Sequence, residues 1–83
     1  MELFQLNTDG GARGNPGPAA IGAVLRDASG QIVGTVKKTI GTATNNQAEY
    51  QAVIAGLQLA KDHGVIYLKV CADSELIVRQ IRG

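Results

Sequence analysis

Thr8-Asp9-Gly10-Gly11-Ala12-Arg13-Gly14-Asn15-Pro16-Gly17-Pro18 places one carboxylate where an apolar segment gives way to glycine. The residues before it alternate, with Phe4, Leu6 and Thr8 on one face and Leu3, Gln5, Asn7 and Asp9 on the other, the period-2 mark of a strand. Asp9 is therefore expected at the C-terminal end of a first strand, on a defined side of the sheet. The four glycines and two prolines from Gly10 to Pro18 permit sharp bends, bring bare backbone close to a ligand, and stop strand or helix from continuing. Their spacing does not make a dinucleotide fingerprint, because Pro16 and Pro18 stand where a helix should follow, and the Gly-Lys-Ser/Thr ending of a phosphate loop is missing.

Outward from this stretch, Ala19 to Arg26 and Gln31 to Lys38 are strand-like runs on either side of Asp27-Ala28-Ser29-Gly30, a hairpin turn. Three strands in series predict an antiparallel meander, in which Gly22 and Gly34 fit bulges or close backbone approach. Thr44-Asn45-Asn46-Gln47 is a capping box that starts a helix. Gln47, Gln51, Gln58 and Asp62 mark its wet face, while Glu49 shares a stripe with Val53, Gly56 and Ala60. Gly64 ends the helix, and His63 is placed to meet its terminal carbonyls. Tyr50 and Tyr67 are assigned to packing.

Val65 to Ala72 is a strand entered through a long helix, which predicts a right-handed crossover and a parallel pairing with the first strand. That pairing brings Asp9 and Asp73 to one rim, where open sheets bind ligands. Ser74 then caps a short terminal helix with Leu76, Ile77, Val78 and Ile81 as its apolar stripe. The fold class is thus α/β: three antiparallel strands, a crossover helix, a parallel fourth strand and a short terminal helix.

Composition bounds the function. The chain has 83 residues, 45% apolar and 18% charged, with a formal net charge of +1, so residues 1–83 form one small domain of ordinary globular composition. Folding at this size buries roughly 60–65% of the unfolded surface. No apolar run approaches the ~20 residues of a spanning helix, and the N-terminus lacks a secretory pattern, so no membrane partner and a cytoplasmic location are expected. The single Cys71 has no disulfide partner and no zinc-ligand neighbour, and is expected to be a small buried residue. The near-neutral charge argues against tight non-specific nucleic-acid binding, while leaving room for a local patch of Arg13, Lys37, Lys38, Arg79 and Arg82.

Singly, the three acids have ordinary explanations. Asp9 suits a turn before glycines, Glu49 could compensate the helix dipole, and Asp73 could cap a helix. Gathered at one rim they would repel one another unless cations neutralised them. Magnesium or manganese fits, since hard divalent ions take oxygen ligands, and two such ions about 3.5–4 Å apart serve both the attacking and leaving oxygens of a phosphodiester.

Taken together, Thr8 to Pro18, Thr44-Asn45-Asn46-Gln47-Ala48-Glu49-Tyr50 and Ala72-Asp73-Ser74-Glu75-Leu76 closely resemble the type 1 ribonuclease H family, in its order and spacing over nearly the whole chain. The resemblance implies a ribonuclease H-like domain and an endonuclease that cuts the RNA strand of RNA–DNA hybrids, leaving 5′-phosphate and 3′-hydroxyl ends. It implies Asp9, Glu49 and Asp73 as catalytic and metal-holding residues for Mg2+ or Mn2+, two ions per complete site. Asp9 would bridge both ions, with Glu49 and Asp73 on the leaving-group side. Asn15, Asn45, Asn46 and Gln47 match positions that contact the hybrid's minor groove and 2′-hydroxyls, and Gly10, Gly11 and Ser74 join that substrate-binding set.

Family members usually continue for tens of residues, adding a fifth strand, further helices and a fourth carboxylate. The chain therefore corresponds to an N-terminal portion, and cleavage by the 83-residue form is expected to be weak or absent. The fourth strand, residues 65–72, is expected to be an unprotected outer edge covered by a second copy, a swapped segment or a C-terminal half. Two other functional classes follow from the same residues: an RNA–DNA hybrid or RNA binding module without catalysis, and a non-enzymatic assembly domain joined through that edge.

Overall fold

The computed structural model describes residues 2–72 and 75–80, with side-chain environments for 2–71. Five strands and one helix follow in the order β1 (Leu3–Ala12), β2 (Gly17–Arg26), β3 (Ile32–Ala43), α1 (Asn45–Asp62), β4 (Tyr67–Ala72) and β5 (Glu75–Gln80). They form one sheet of order β3-β2-β1-β4-β5. The β1–β2 and β2–β3 pairs are antiparallel, and β4 runs parallel to β1, the crossover expected of a strand entered through a helix.

Helix α1 covers one face. Its buried residues are Ala48, Ala52, Gly56 and Ala60, a stripe of small side chains spaced by four. Glu49 and Val53 are half-buried on the flank of that stripe rather than along it. Small residues allow the helix backbone to come close to the sheet: a Cβ on Gly56 would stand 2.7 Å from the Leu6 side chain. Leu6, Leu25, Leu68 and Val70 are the largest fully buried side chains, and full burial of each is worth roughly 1.5–3 kcal/mol relative to exposure. A second cluster, Ala19, Ile21, Ala43, Ala48 and Ala52, holds the N-terminal half of α1 to β2 and the end of β3.

Several expectations are corrected. Strand β1 does not stop at the glycines but runs through Gly10 and Gly11 to Ala12, with Gly10 paired to Ile21 and Gly11 to Ala20. Glycine serves at Gly10 because the helix backbone lies against the strand. The close approach expected at Gly34 is present, a Cβ there lying 3.0 Å from the Leu59 and His63 side chains, whereas Gly22 has only ordinary contacts. The register shifts fall at Ala19/Ala20 and Leu25/Arg26 instead. Tyr50 is 70% exposed and does not pack in the core, and Cys71 is half-buried.

The expected terminal helix is replaced by strand β5, antiparallel to β4 with Ala72 opposite Glu75 and Tyr67 opposite Gln80. Ile77 and Val78 are β-branched, and β4 offers a row of backbone groups that a local hairpin satisfies. The strand is shorter than expected, Tyr67–Ala72, and these residues are not an open edge, so neither the edge-covering partner nor edge-to-edge assembly is needed to pair them. Within the described residues, no helix is long and apolar enough to cross a membrane.

Candidate metal and nucleic-acid site

Local packing places the first acid. In β1, Leu6 is buried toward α1 and Gly10 lies under the Ala48 carbonyl, so the intervening Asp9 faces the other side of the sheet, where it is exposed. Its carboxylate makes no hydrogen bond or ion pair within the described residues. The row across the strands is Asp9–Gly22–Lys37, and the missing side chain at Gly22 opens a hollow of about 710 Å³ between the acid and the lysine.

Glu49 is brought near from the helix side. A Cβ on Gly10 would overlap the Ala48 carbonyl and stand 2.9 Å from the Glu49 backbone nitrogen, so the Glu49 peptide rests on the residue that follows Asp9. Strand β4 ends at Ala72, opposite Thr8, and beyond that point β1 has no parallel partner among the described residues. Asp73 and Ser74 lie outside the described residues. Among the described residues, no group of three potential ligands is gathered.

Asn15, Asn45 and Gln47 meet at the start of α1. Thr44 Oγ1 accepts from the Gln47 amide at 3.1 Å and Gln47 Oε1 accepts from the Thr44 amide at 2.9 Å, closing the capping box. Asn15 Oδ1 accepts from the Asn45 amide at 3.0 Å, and Asn45 Oδ1 accepts from the Ala12 amide at 2.8 Å. Sequence reasoning missed this clamp, which ties the glycine loop and the end of β1 to the helix; its only sequence signal was an Asn in each segment. Because backbone N–H groups occupy the amide oxygens of Asn15, Asn45 and Gln47, each side chain is left presenting its NH2 group, which has no partner within the described residues. Gly11 lies beside this clamp, and Asn46 is exposed without such a contact. His63 meets its expectation, with Nδ1 3.0 Å from the Leu59 carbonyl oxygen.

The fold is shared with known proteins. The family described as reverse transcriptase-like matches residues 7–83. A ribonuclease HI of Halobacterium salinarum is 52% identical over 75 residues, which cover 90% of this chain and 38% of that protein. A bifunctional protein of Mycobacterium tuberculosis is 47% identical over 79 residues, covering 94% of this chain and 22% of its own length. The crystal structure of the Halobacterium ribonuclease H1 superposes with a TM-score of 0.83 at 49% identity, covering 88% of this chain and 55% of that one. A ribonuclease H1 solved in complex with an RNA/DNA hybrid superposes with a TM-score of 0.80 at 42% identity, again covering 55% of the solved chain. The chain thus spans about half the length of these solved relatives, and from residue 7 onward it belongs to the ribonuclease H-like family.

Proposed function

We propose that this chain is the N-terminal portion of a metal-dependent ribonuclease H that hydrolyses the RNA strand of an RNA–DNA hybrid. The observation that carries the reading is the seating of the α1 backbone on Gly10, where an added Cβ would stand 2.9 Å from the Glu49 amide nitrogen, so that Glu49 starts from a backbone resting on the residue after Asp9. An all-oxygen donor set of this kind suits Mg2+ or Mn2+ and no softer metal. Asp9, Glu49 and Asp73 would hold the ions, which when bound supply an activated water and charge stabilisation on the leaving oxygen. Asp9 is suited to the bridging position because it is exposed and spends no lone pair on a described neighbour.

The amide groups bind and orient the substrate. Asn15, Asn45 and Gln47 present donors whose oxygens are already tied down, so they are set to meet acceptors: minor-groove base edges and ribose 2′-hydroxyl oxygens. The 2′-hydroxyl is what distinguishes RNA from DNA at such a surface. A hybrid-binding module without hydrolysis is the second reading, favoured by the amide donors of Asn15, Asn45 and Gln47, which need no metal ion to meet a substrate.

Adding Mn2+ while following backbone amide signals tests the metal site: selective broadening at Asp9, Gly10 and Glu49, lost in D9N, is the expected result. Uniform broadening across the chain would remove the metal reading. A labelled hybrid on a gel then decides between the two functions, since a module binds and releases it intact in Mg2+ while a nuclease shortens only the RNA strand.

A further inference from the structure

We propose that Arg26, Gln5 and Lys69 form a binding site for a phosphate-type oxyanion on the sheet face opposite α1. The register builds it: Gln5 of β1 is paired with Arg26 of β2 on one side and Lys69 of β4 on the other, so all three side chains rise from one row on one face. With strands about 4.8 Å apart, the two cations are rooted roughly 10 Å from each other. The shorter Gln5 between them leaves a saddle, and Leu3, Ala28 and Gly30 complete a hollow of about 400 Å³.

Both cations are half-buried, and neither has a carboxylate partner within the described residues. Asn7 Oδ1 accepts from Arg26 Nη1 at 3.3 Å and from Gln5 Nε2 at 3.1 Å, which fixes the guanidinium and the amide while leaving most of the arginine donors unspent. The Lys69 side chain makes no hydrogen bond within the described residues. Asp27 lines the same hollow, but its Oδ1 accepts from the Ser29 amide, the Ser29 hydroxyl and the Gln31 amide, so the carboxylate is tied into its own turn instead of neutralising Arg26. A planar fork and a point charge flanking a side-chain amide match a tetrahedral oxyanion. The site lies four residues along β1 from Asp9, about 13 Å at strand rise, and does not depend on the hydrolytic reading.

The test uses the full 83-residue chain in metal-free buffer with EDTA, titrated with inorganic phosphate against chloride at constant ionic strength. Nitrogen-resolved NMR is expected to show saturable shifts at Arg26 Nε–H, the Gln5 side-chain amide and the Ala28, Gly30 and Lys69 amides. R26Q should weaken phosphate binding about tenfold or more, and R26K less, because it keeps charge but loses the fork. A nucleoside monophosphate and an RNA–DNA hybrid form further arms. Tighter binding of the hybrid through the same signals identifies backbone phosphate as the source, and binding of phosphate alone identifies the free ion; either supports the site. Shifts that stay linear, that chloride reproduces, or that spread to Arg13, Lys37 and Lys38 overturn it. Should R26Q disturb the fold, K69Q decides: unchanged phosphate affinity in that variant also overturns the proposal.

Discussion

Gly10 and Gly11 are adjacent in sequence and differ sharply in what surrounds them. An added Cβ at Gly10 would overlap the Ala48 carbonyl, which belongs to a helix backbone and cannot turn aside, whereas at Gly11 the nearest atom is Asn45 Oδ1 at 3.8 Å. G10A is therefore expected to cost about 1–3 kcal/mol or more through overpacking, and G11A to stay within about 0.5 kcal/mol; urea denaturation of both variants checks this. A second residue-scale effect sits in the β2–β3 turn. The Ser29 hydroxyl, then the Gln31 amide, hold the Asp27 carboxyl below its ordinary value. The unfolded chain binds that proton more readily, so the turn's contribution is present above the ordinary carboxylate range and is lost as pH falls through the depressed value. S29A should raise the Asp27 titration midpoint, read by carboxyl carbon NMR, and its stability deficit should shrink as the solution is acidified. An unchanged midpoint would mean that the hydroxyl is not the main cause.

At the scale of elements, helix α1 shows what a sequence can and cannot disclose. The capping box was legible because its four residues are contiguous and both reciprocal bonds are local. T44A is expected to lower stability by about 0.5–2 kcal/mol, visible as a reduced urea midpoint with unchanged slope. The parallel pairing of β4 with β1 was equally legible, since the handedness of crossovers leaves few alternatives. The buried stripe was legible at Gly56 and Ala60, but its first half is Ala48 and Ala52 instead of Glu49 and Val53, because small residues carry little hydrophobic signal while permitting the closest backbone approach. The Asn15–Asn45–Ala12 clamp could not be seen at all: its partners are 30 and 33 residues apart, and nothing in their local patterns announces the contact. The segment after β4 read as a helix because Ser74 suits a cap, yet residues 75–80 pair as a strand, showing that tertiary demand for backbone partners outweighs a single capping residue.

At the scale of the molecule, the question is what half of a relative's length supplies. Aligned residues cover 38% of the Halobacterium salinarum ribonuclease HI, and the chain carries two acids whose placement is described, on a strand and a helix held together by Gly10. If the later part of such relatives supplies a further carboxylate, as the resemblance implies, hydrolysis depends on joining that part to this one. Fusing this chain to the segment of that relative beyond the matched region should then produce Mg2+- or Mn2+-dependent shortening of the RNA strand in a labelled hybrid, with DNA duplex left intact. D9N in the fusion should reduce the rate by more than the roughly 10–100-fold typical of residues that only support metal ligands. N15A should weaken hybrid binding while leaving Mn2+ affinity unchanged, because it removes a donor and a loop clamp but no carboxylate. A fusion that folds, binds Mn2+ at Asp9 and still leaves the RNA strand whole would assign this half to recognition instead of hydrolysis.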